Sequence, residues 1–324
     1  MPLDHSKANS IIRLLLCKSS SIQSIICYSF ILVLAFVVYF TATLAFQTCP
    51  VYSQVNIASV STLLIKDPKK IAILITGTGK YAQLAMELID SGRDNFCRRI
   101  KEECRSVTYI LFTDVDKEQL VPLNYEKHLK DIIFIKKKRE GWPHDSMKRF
   151  HNYLNEKETL EKFDFIISMD ADLRFIDRVE LSEIYSDLTA VLHPNYLKTV
   201  RWKLPFERLH PESKAYVSKM ANCRYFTAAI WAGEQEHFIR ALRTLVWQLD
   251  SDAERLGANF TAVWHDESHL NRYFVDNHPT RILLPSYYYP EDAKNFPETY
   301  SPIYHLPKKI LALKKNYKIM RHSS

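Results

Sequence analysis

Short apolar runs and amphipathic stretches alternate along most of this 324-residue chain. Lys70–Thr76 (KIAILIT), Val107–Thr113 (VTYILFT), Asp131–Lys136 (DIIFIK), Asp164–Met169 (DFIISM), Thr189–His193 and Tyr225–Trp231 (YFTAAIW) predict buried strands. Tyr81–Asp90, Asp145–Leu154, Glu234–Leu249 and Asp266–Phe274 predict helices. In the third of these, Phe238, Ile239, Leu242, Leu245 and Leu249 share one face. Strands separated by helices predict an α/β domain with a mainly parallel sheet. Ligands on such sheets sit beyond the carboxyl ends of the strands. No repeat and no interdomain linker interrupts the pattern, so residues 70–324 read as one domain.

One stretch breaks the alternation. Ile25–Phe46 is apolar throughout, and no charged residue lies between Lys18 and Lys66. Its 22 residues, at about 1.5 Å each, span a hydrocarbon core of about 30 Å. That exceeds the apolar region of a cleaved signal peptide. Lys7, Arg13 and Lys18 precede it, so the positive-inside tendency puts residues 1–24 in the cytosol. The expected layout is a tail (1–24), a transmembrane signal anchor (25–46), a stem (47–69) and a lumenal domain, in type II orientation.

Composition narrows the classes. Six glycines in 324 residues exclude collagen-like and glycine-rich linker sequences. Neither a P-loop nor a G-x-G-x-x-G appears. The net charge of +7 sits at the ends: +2 over residues 1–65, +6 over 300–324, and −1 between them. A nucleic-acid binder spreads its basic footprint over a folded face, so no nucleic-acid partner is expected. Asn259-Phe260-Thr261 is a glycosylation sequon, meaningful only in a lumenal domain. Of six cysteines, Cys97 and Cys104 are spaced for a lumenal bridge, and buried free thiols are the equal alternative.

Three constellations carry chemistry. Asp170-Ala171-Asp172 directly follows a buried strand, which places two carboxylates at a strand's carboxyl end. Hard cations such as Mn²⁺ or Mg²⁺ bridge such carboxylates to substrate phosphates; the plain alternative is an acid pair capping a turn. Trp264-His265-Asp266-Glu267-Ser268-His269 sets two acids at a helix start, where the helix dipole favours negative charge. His265 and His269 have the spacing of a zinc-binding H-E-x-x-H, but Asp266 replaces the longer general base. That leaves a zinc hydrolase as a minor reading. Lys308–Arg321 is a basic tail, read either as frayed and solvated or as docked over a diphosphate through its interleaved apolar residues.

Trp264–Asn271 (WHDESHLN) resembles the signature of glycosyltransferase family 6, which contains the histo-blood-group transferases, the α1,3-galactosyltransferases, the Forssman synthase and bacterial relatives. Thr78–Tyr81, Phe112-Thr113-Asp114, Gly141-Trp142-Pro143, Met147–His151, Leu192-His193-Pro194, Phe206-Glu207-Arg208, Ala215-Tyr216 and Leu283-Leu284-Pro285 match the family in order, over about residues 70–321. The resemblance implies a GT-A type, Rossmann-like fold, a Golgi type II anchor and retaining transfer of Gal or GalNAc from a UDP-sugar. The implied acceptor position is O3 of a terminal galactose or GalNAc on a glycan or glycolipid. It also implies roles. Asp170 and Asp172 hold Mn²⁺ (or Mg²⁺), with Ala171 between them at the donor; Thr76, Gly77, Thr78 and Tyr81 hold uridine; Arg149 and Asp266 hold the donor sugar. Thr227, Ala228 and Ala229 select it. Glu267 is the catalytic carboxylate and also touches the acceptor, which His193 and Trp264 contact, while Lys315 and Arg321 close over the diphosphate. Gly77–Lys80 is closer to bacterial members, whose metal motif is often N-x-N, and the Thr227-Ala228-Ala229 tripeptide differs from the blood-group versions. A lumenal protein that binds UDP-sugars or glycans without turnover remains the rival class.

Overall fold

The computed structural model describes residues 31–35, 70–97, 106–120, 129–219 and 224–315. The chain divides into two compact units, Met1–Val51 and Tyr52–Ser324. In the first, residues 31–35 are helical and exposed; the rest of the expected anchor, the tail and the stem lie outside the described residues. Among the described residues no helix is long and apolar enough to cross a membrane.

The second unit is built on a mixed sheet of seven strands in the order β3-β2-β1-β4-β7-β6-β8. These are β1 (Lys70–Thr76), β2 (Ser106–Thr113), β3 (Ile132–Lys136), β4 (Phe165–Asp170), β6 (Leu188–Leu192), β7 (Phe226–Glu234) and β8 (Arg281–Leu283). The apolar runs predicted six of them to within a few residues. β1 is buried along almost its whole length, as expected of a strand covered on both faces. Its alternation splits the core. Ile71, Ile73 and Ile75 pack with α1 (Tyr81–Asn95) through Ala85, Leu88 and Ile89. Ala72 and Leu74 face the layer of Phe150, Phe238, Leu242 and Leu245. That layer comes from α3 (Arg149–Asn155) and α4 (Gln235–Leu256), beside α5 (His265–Asp276).

Register decides where the site falls. β1 and β4 run parallel with Thr76 opposite Asp170. β7 runs antiparallel to both β4 and β6. Its amino end, at Phe226, therefore pairs with Leu192 at the carboxyl end of β6. Thr227–Ala229 and Asp170 consequently share one edge of the sheet. Hydrophobic runs identify β7 but are blind to its direction.

Several expectations are corrected. The helix predicted over Asp145–Leu154 is two, α2 (His144–Met147) and α3, divided at Lys148 (φ −82°, ψ −3°). The α4 helix continues past Leu249 to Leu256, through polar residues that carry no apolar stripe. A second sheet, β5-β10-β9, was not predicted; it joins β5 (Leu173–Phe175), β9 (Tyr289–Pro290) and β10 (Ile310–Ala312). Strands this short hold too few residues to show a period. Cys97 is buried with φ +56°, and Cys104 lies outside the described residues.

Gly233 marks a tight crossing. A β-carbon there would sit 2.6 Å from the Asp187 carbonyl oxygen, a backbone atom that cannot swing away. We expect Gly233→Ala to lower stability by about 1–3 kcal/mol, the usual penalty of overpacking, read as a fall in the urea midpoint.

Candidate active site

A cavity of ≈ 600 Å³ opens at the edge where β1, β4 and β7 present these ends, within the usual size range of small-molecule sites. Thr76, Thr78, Tyr81, Arg149, Asp170, Ala171 and Asp172 line it, as do His193, Thr227, Ala228, Ala229, Trp264, Asp266, Glu267 and Lys315. Most residues assigned to donor, metal and acceptor therefore converge. Gly77, expected among the donor contacts, does not line the cavity; a β-carbon there would meet Ala85 and the Tyr81 carbonyl, each at 3.0 Å, so it lies against the start of α1. Arg321 lies outside the described residues. Asn259 is exposed on the turn between α4 and α5.

Arg149 is the centre of the charge network. It is 6% exposed. Its Nε donates to Asp266 Oδ2 at 2.7 Å, a second nitrogen also reaches Asp266, and a third pairs with Asp170. Burial pulls its guanidinium down, but the two carboxylates outweigh burial and the net shift is upward. A planar fork can hold two carboxylates in a way a lysine cannot. Burial pushes Asp266 up, opposed by Arg149.

Glu267 is anchored differently. Its carboxylate accepts the Ala228 N–H at 2.9 Å. Burial pushes it up to about 7; the Ala228 N–H and the nearby Tyr225 hydroxyl pull it back, and Asp266 and Asp170 add to the rise. His265 starts α5 with φ +52°, a conformation that costs a non-glycine residue about 1–3 kcal/mol and gathers at functional sites. His193 packs against the rings of Tyr196, Tyr225 and Tyr288. Its Nδ1 accepts the Asn195 N–H at 3.3 Å, which leaves the proton of the neutral ring on Nε2.

The basic tail docks as far as it is described. β10 pairs antiparallel with β5, the strand that follows Asp172. Leu313 N–H then donates to the Asp172 carbonyl at 3.0 Å. Lys315 is thereby brought onto the Asp172 carboxylate and over the Tyr81 ring at 5.3 Å.

Sequence reasoning missed one wall. Arg139, Gly141, Asp145 and Ser146 also line the cavity; the family-matching Gly141 segment and the helix predicted from Asp145 are not assigned to the site by the sequence. Asp145 holds this wall in place. It accepts from Thr78 Oγ1 at 2.8 Å, from Lys137 Nζ at 3.1 Å and from the Glu140 N–H at 3.0 Å. Against Arg139 of the same wall, Gly79 has φ +52° and a β-carbon there would sit 3.0 Å from the guanidinium, while its N–H donates to Asp114 at 2.7 Å.

The donor set at Asp170 and Asp172 is oxygen only and fits a hard divalent cation. The lining carries Asp145, Asp170, Asp172, Asp266 and Glu267 against Arg139, Arg149 and Lys315. A diphosphate would add negative charge to that surplus, which a divalent cation offsets. The zinc reading is not supported. His269 is fully buried and its ring lies 3.8 Å from Asp252; among the described residues neither it nor His265 joins a group of three metal ligands. Asp187, Glu234 and His237 do gather ligand atoms within 4.8 Å of one another. They lie at the opposite end of β4, where Glu234 pairs with Phe165.

A sequence profile of glycosyltransferase family 6 matches residues 60–322. Histo-blood group ABO system transferase 2 of Rattus norvegicus is 27% identical over 259 residues, covering 78% of this chain and 71% of the relative. Globoside alpha-1,3-N-acetylgalactosaminyltransferase 1 of Homo sapiens is 27% identical over 230 residues, covering 70% and 62%. Alpha-1,3-galactosyltransferase 2 of Homo sapiens is 30% identical over 162 residues, covering 49% and 43%.

The raised Glu267 carboxyl makes a stability prediction. Its folded value of about 7 lies above the ordinary 4.5, so ionising it opposes folding, and the loss develops as pH rises from about 4.5 to about 7. Glu267→Gln carries no such charge. Its unfolding free energy, relative to that of the wild type, is expected to rise across that window and level off above it, measured by urea titrations at several pH values.

Proposed function

The chain belongs to glycosyltransferase family 6, and on that premise we propose that it is a metal-dependent retaining hexosyltransferase. It moves Gal or GalNAc from a UDP-sugar to O3 of a terminal galactose or GalNAc on a glycan or glycolipid, forming an α1,3 linkage. The observation that carries this reading is Arg149 tying Asp170 to Asp266 in a cavity that Glu267 also lines. The names of two relatives, one an N-acetylgalactosaminyltransferase and one a galactosyltransferase, support the donor classes. We also propose a GT-A type fold for residues 70–324 and a Golgi membrane location, with Ile25–Phe46 as a single-pass type II anchor.

Asp170 and Asp172 would hold Mn²⁺ or Mg²⁺, which when bound supplies positive charge to the diphosphate as it leaves. The chain's own groups do the remaining work. Thr76, Thr78 and Tyr81 hold the nucleoside end. Arg149 and Asp266 present a fixed donor–acceptor pair to the sugar hydroxyls. Lys315, and Arg321 beyond the described residues, add cationic charge at the leaving group. As the C1–phosphate bond breaks, Glu267 faces a carbon gaining positive character. Retention needs either a covalent bond to a carboxylate on the β face or departure and attack on the same face; Glu267 suits both, as nucleophile or as stabilising anion. The acceptor O3 then bonds to C1, breaking the C1–Glu267 bond on the covalent route, and its proton passes to a base at the site, the leaving phosphate oxygen on the same-face route. His193 Nε2–H offers a donor to an acceptor hydroxyl, and the half-exposed Trp264 ring offers a face for a sugar. The rival, a protein that binds UDP-sugars without turnover, leaves the ionisable Glu267 without a task.

The decisive experiment measures UDP release and glycan product with UDP-Gal, UDP-GalNAc, UDP-Glc and UDP-GlcNAc against fucosylated and unfucosylated galactosides. Transfer by the wild type and a fall of at least about a hundredfold in Glu267→Gln, within the cost of losing a key catalytic group, are expected. Turnover in neither form would favour the binding protein.

Metal dependence has its own test. Asp172→Asn is expected to abolish turnover, because an amide lacks the anionic charge that offsets desolvation of the cation. Undiminished activity in EDTA would remove the metal from the mechanism.

Donor choice rests on Thr227-Ala228-Ala229, each no more than 4% exposed. The Ala229 N–H donates to Thr227 Oγ1 at 3.1 Å, which orients that side chain. Small groups at both positions leave room for an N-acetyl at C2, while the methyl at 229 narrows it; we read the pocket as admitting both sugars. One methylene-sized change is worth about 1–3 kcal/mol. Ala229→Gly is expected to raise the GalNAc-to-Gal ratio of kcat/KM and Thr227→Leu to lower it. Ratios that move less than about twofold, far below that range, would take this segment out of the donor pocket.

A further inference from the structure

Glu207 is fully buried yet absent from the cavity lining. Its carboxylate bridges two backbone segments. Oε1 accepts the N–H groups of Leu209 at 2.7 Å and His210 at 3.1 Å; Oε2 accepts the Val263 N–H at 2.8 Å. Burial alone would push this carboxyl up, but the three N–H donors outweigh it and the net shift is downward. The neighbouring Arg208 braces the same loop from behind, donating to the carbonyls of Arg201, Trp202 and Leu204 at 3.1, 2.8 and 2.9 Å. An ionised buried carboxylate therefore holds the 201–217 loop and the residue just before Trp264 at a fixed separation.

What hangs on each anchor differs along the segment that enters α5. Asp266 is held by Arg149 and Glu267 by the Ala228 N–H. Asn271 clips the helix to β7, accepting the Phe226 N–H at 2.9 Å and donating to the Phe226 carbonyl at 2.8 Å. Val263 has Glu207, and Trp264 N–H has Ser268 Oγ at 2.9 Å. Val263 and Trp264 are also exposed parts of the lining, at 38% and 46%, as is Trp142 at 49%. We propose that Glu207 is a positioning residue for the acceptor. By holding Val263 it sets the mouth of the cavity and the place of the Trp264 ring against which the acceptor sugar lies, independently of the donor-side groups. This rests on the transferase reading above.

Glutamine is the discriminating substitution, since its single carbonyl oxygen can serve one segment while its amide nitrogen, a donor, faces the N–H groups of the other. The measurements on purified full-length protein are the acceptor KM, the Kd of UDP with Mn²⁺, the thermal midpoint, and the same set in Trp264→Ala and the double variant. Glu207→Gln is expected to raise acceptor KM at least about tenfold, while the Kd of UDP stays within about twofold. Because Glu207 acts through the Trp264 wall, adding Glu207→Gln to Trp264→Ala is expected to change acceptor KM less than about threefold, the non-additivity of coupled sites. Glu207→Asp, which keeps both oxygens on a shorter stem, is read in the same way if the glutamine variant does not fold, with a smaller rise expected. Equal weakening of UDP and acceptor, or multiplying effects in the double variant, would reduce Glu207 to a structural brace and overturn the inference while leaving the transferase reading intact. A wild type that transfers to no galactoside overturns both.

Discussion

The site depends on one buried cation. Arg149 sits in a helix behind the sheet, and its guanidinium joins the last residue of β4 to the first turn of α5. A buried charge must be paired, and removing one partner of such a set typically costs about 3–5 kcal/mol because the others are left uncompensated. Asp170, Arg149 and Asp266 are therefore mutually required, whatever ligand is present. This couples stability to site geometry: the constellation that would grip a sugar is also the clip between two elements far apart in the chain.

Around that clip other hydrogen bonds hold the lining in place. Ala228 N–H fixes Glu267, the Asp172 carbonyl receives Leu313, and Asp145 gathers Thr78, Lys137 and Glu140. The Ala228 N–H belongs to β7 and is stiff, so the Glu267 carboxylate it orients is preorganised, as electrostatic stabilisation of a developing charge requires. The same burial pushes Glu267 up to about 7, close to neutral pH, where a modest change in local charge decides whether it is ionised. On the proposed reading, a cation and a diphosphate binding at Asp170 and Asp172 would be changes of that kind.

The mixed sheet explains why so few strand ends suffice. One strand, β7, runs against its neighbours, so its amino end meets the carboxyl ends of β4 and β6 at one edge. The small second sheet then folds the chain's last described strand onto β5 beside Asp172. A basic segment that would fray if left in water is held by three residue pairs to β5, which follows Asp172, and by two to β9.

Residue pattern alone determined the α/β class, six of the seven main strands, the long amphipathic helix and the two acid clusters, because burial of continuous apolar runs and of a helical stripe leaves a periodic trace at short range. The motif from Trp264 to Asn271, with its companions in order, carried the family, and local identity is enough for that. Three things were decided only in three dimensions. The direction of β7 is invisible because an apolar run reads alike both ways. The partners of Arg149, Asp170 and Asp266, lie 21 and 117 residues from it, and no period links positions so far apart. The wall of Arg139, Asp145 and Ser146 runs from irregular chain into the short α2, the brace at Glu207 lies in a loop, and both Asp145 and Glu207 hold backbone N–H groups. Those groups are present at almost every position, so composition cannot tell which of them a carboxylate will meet until the fold brings them together.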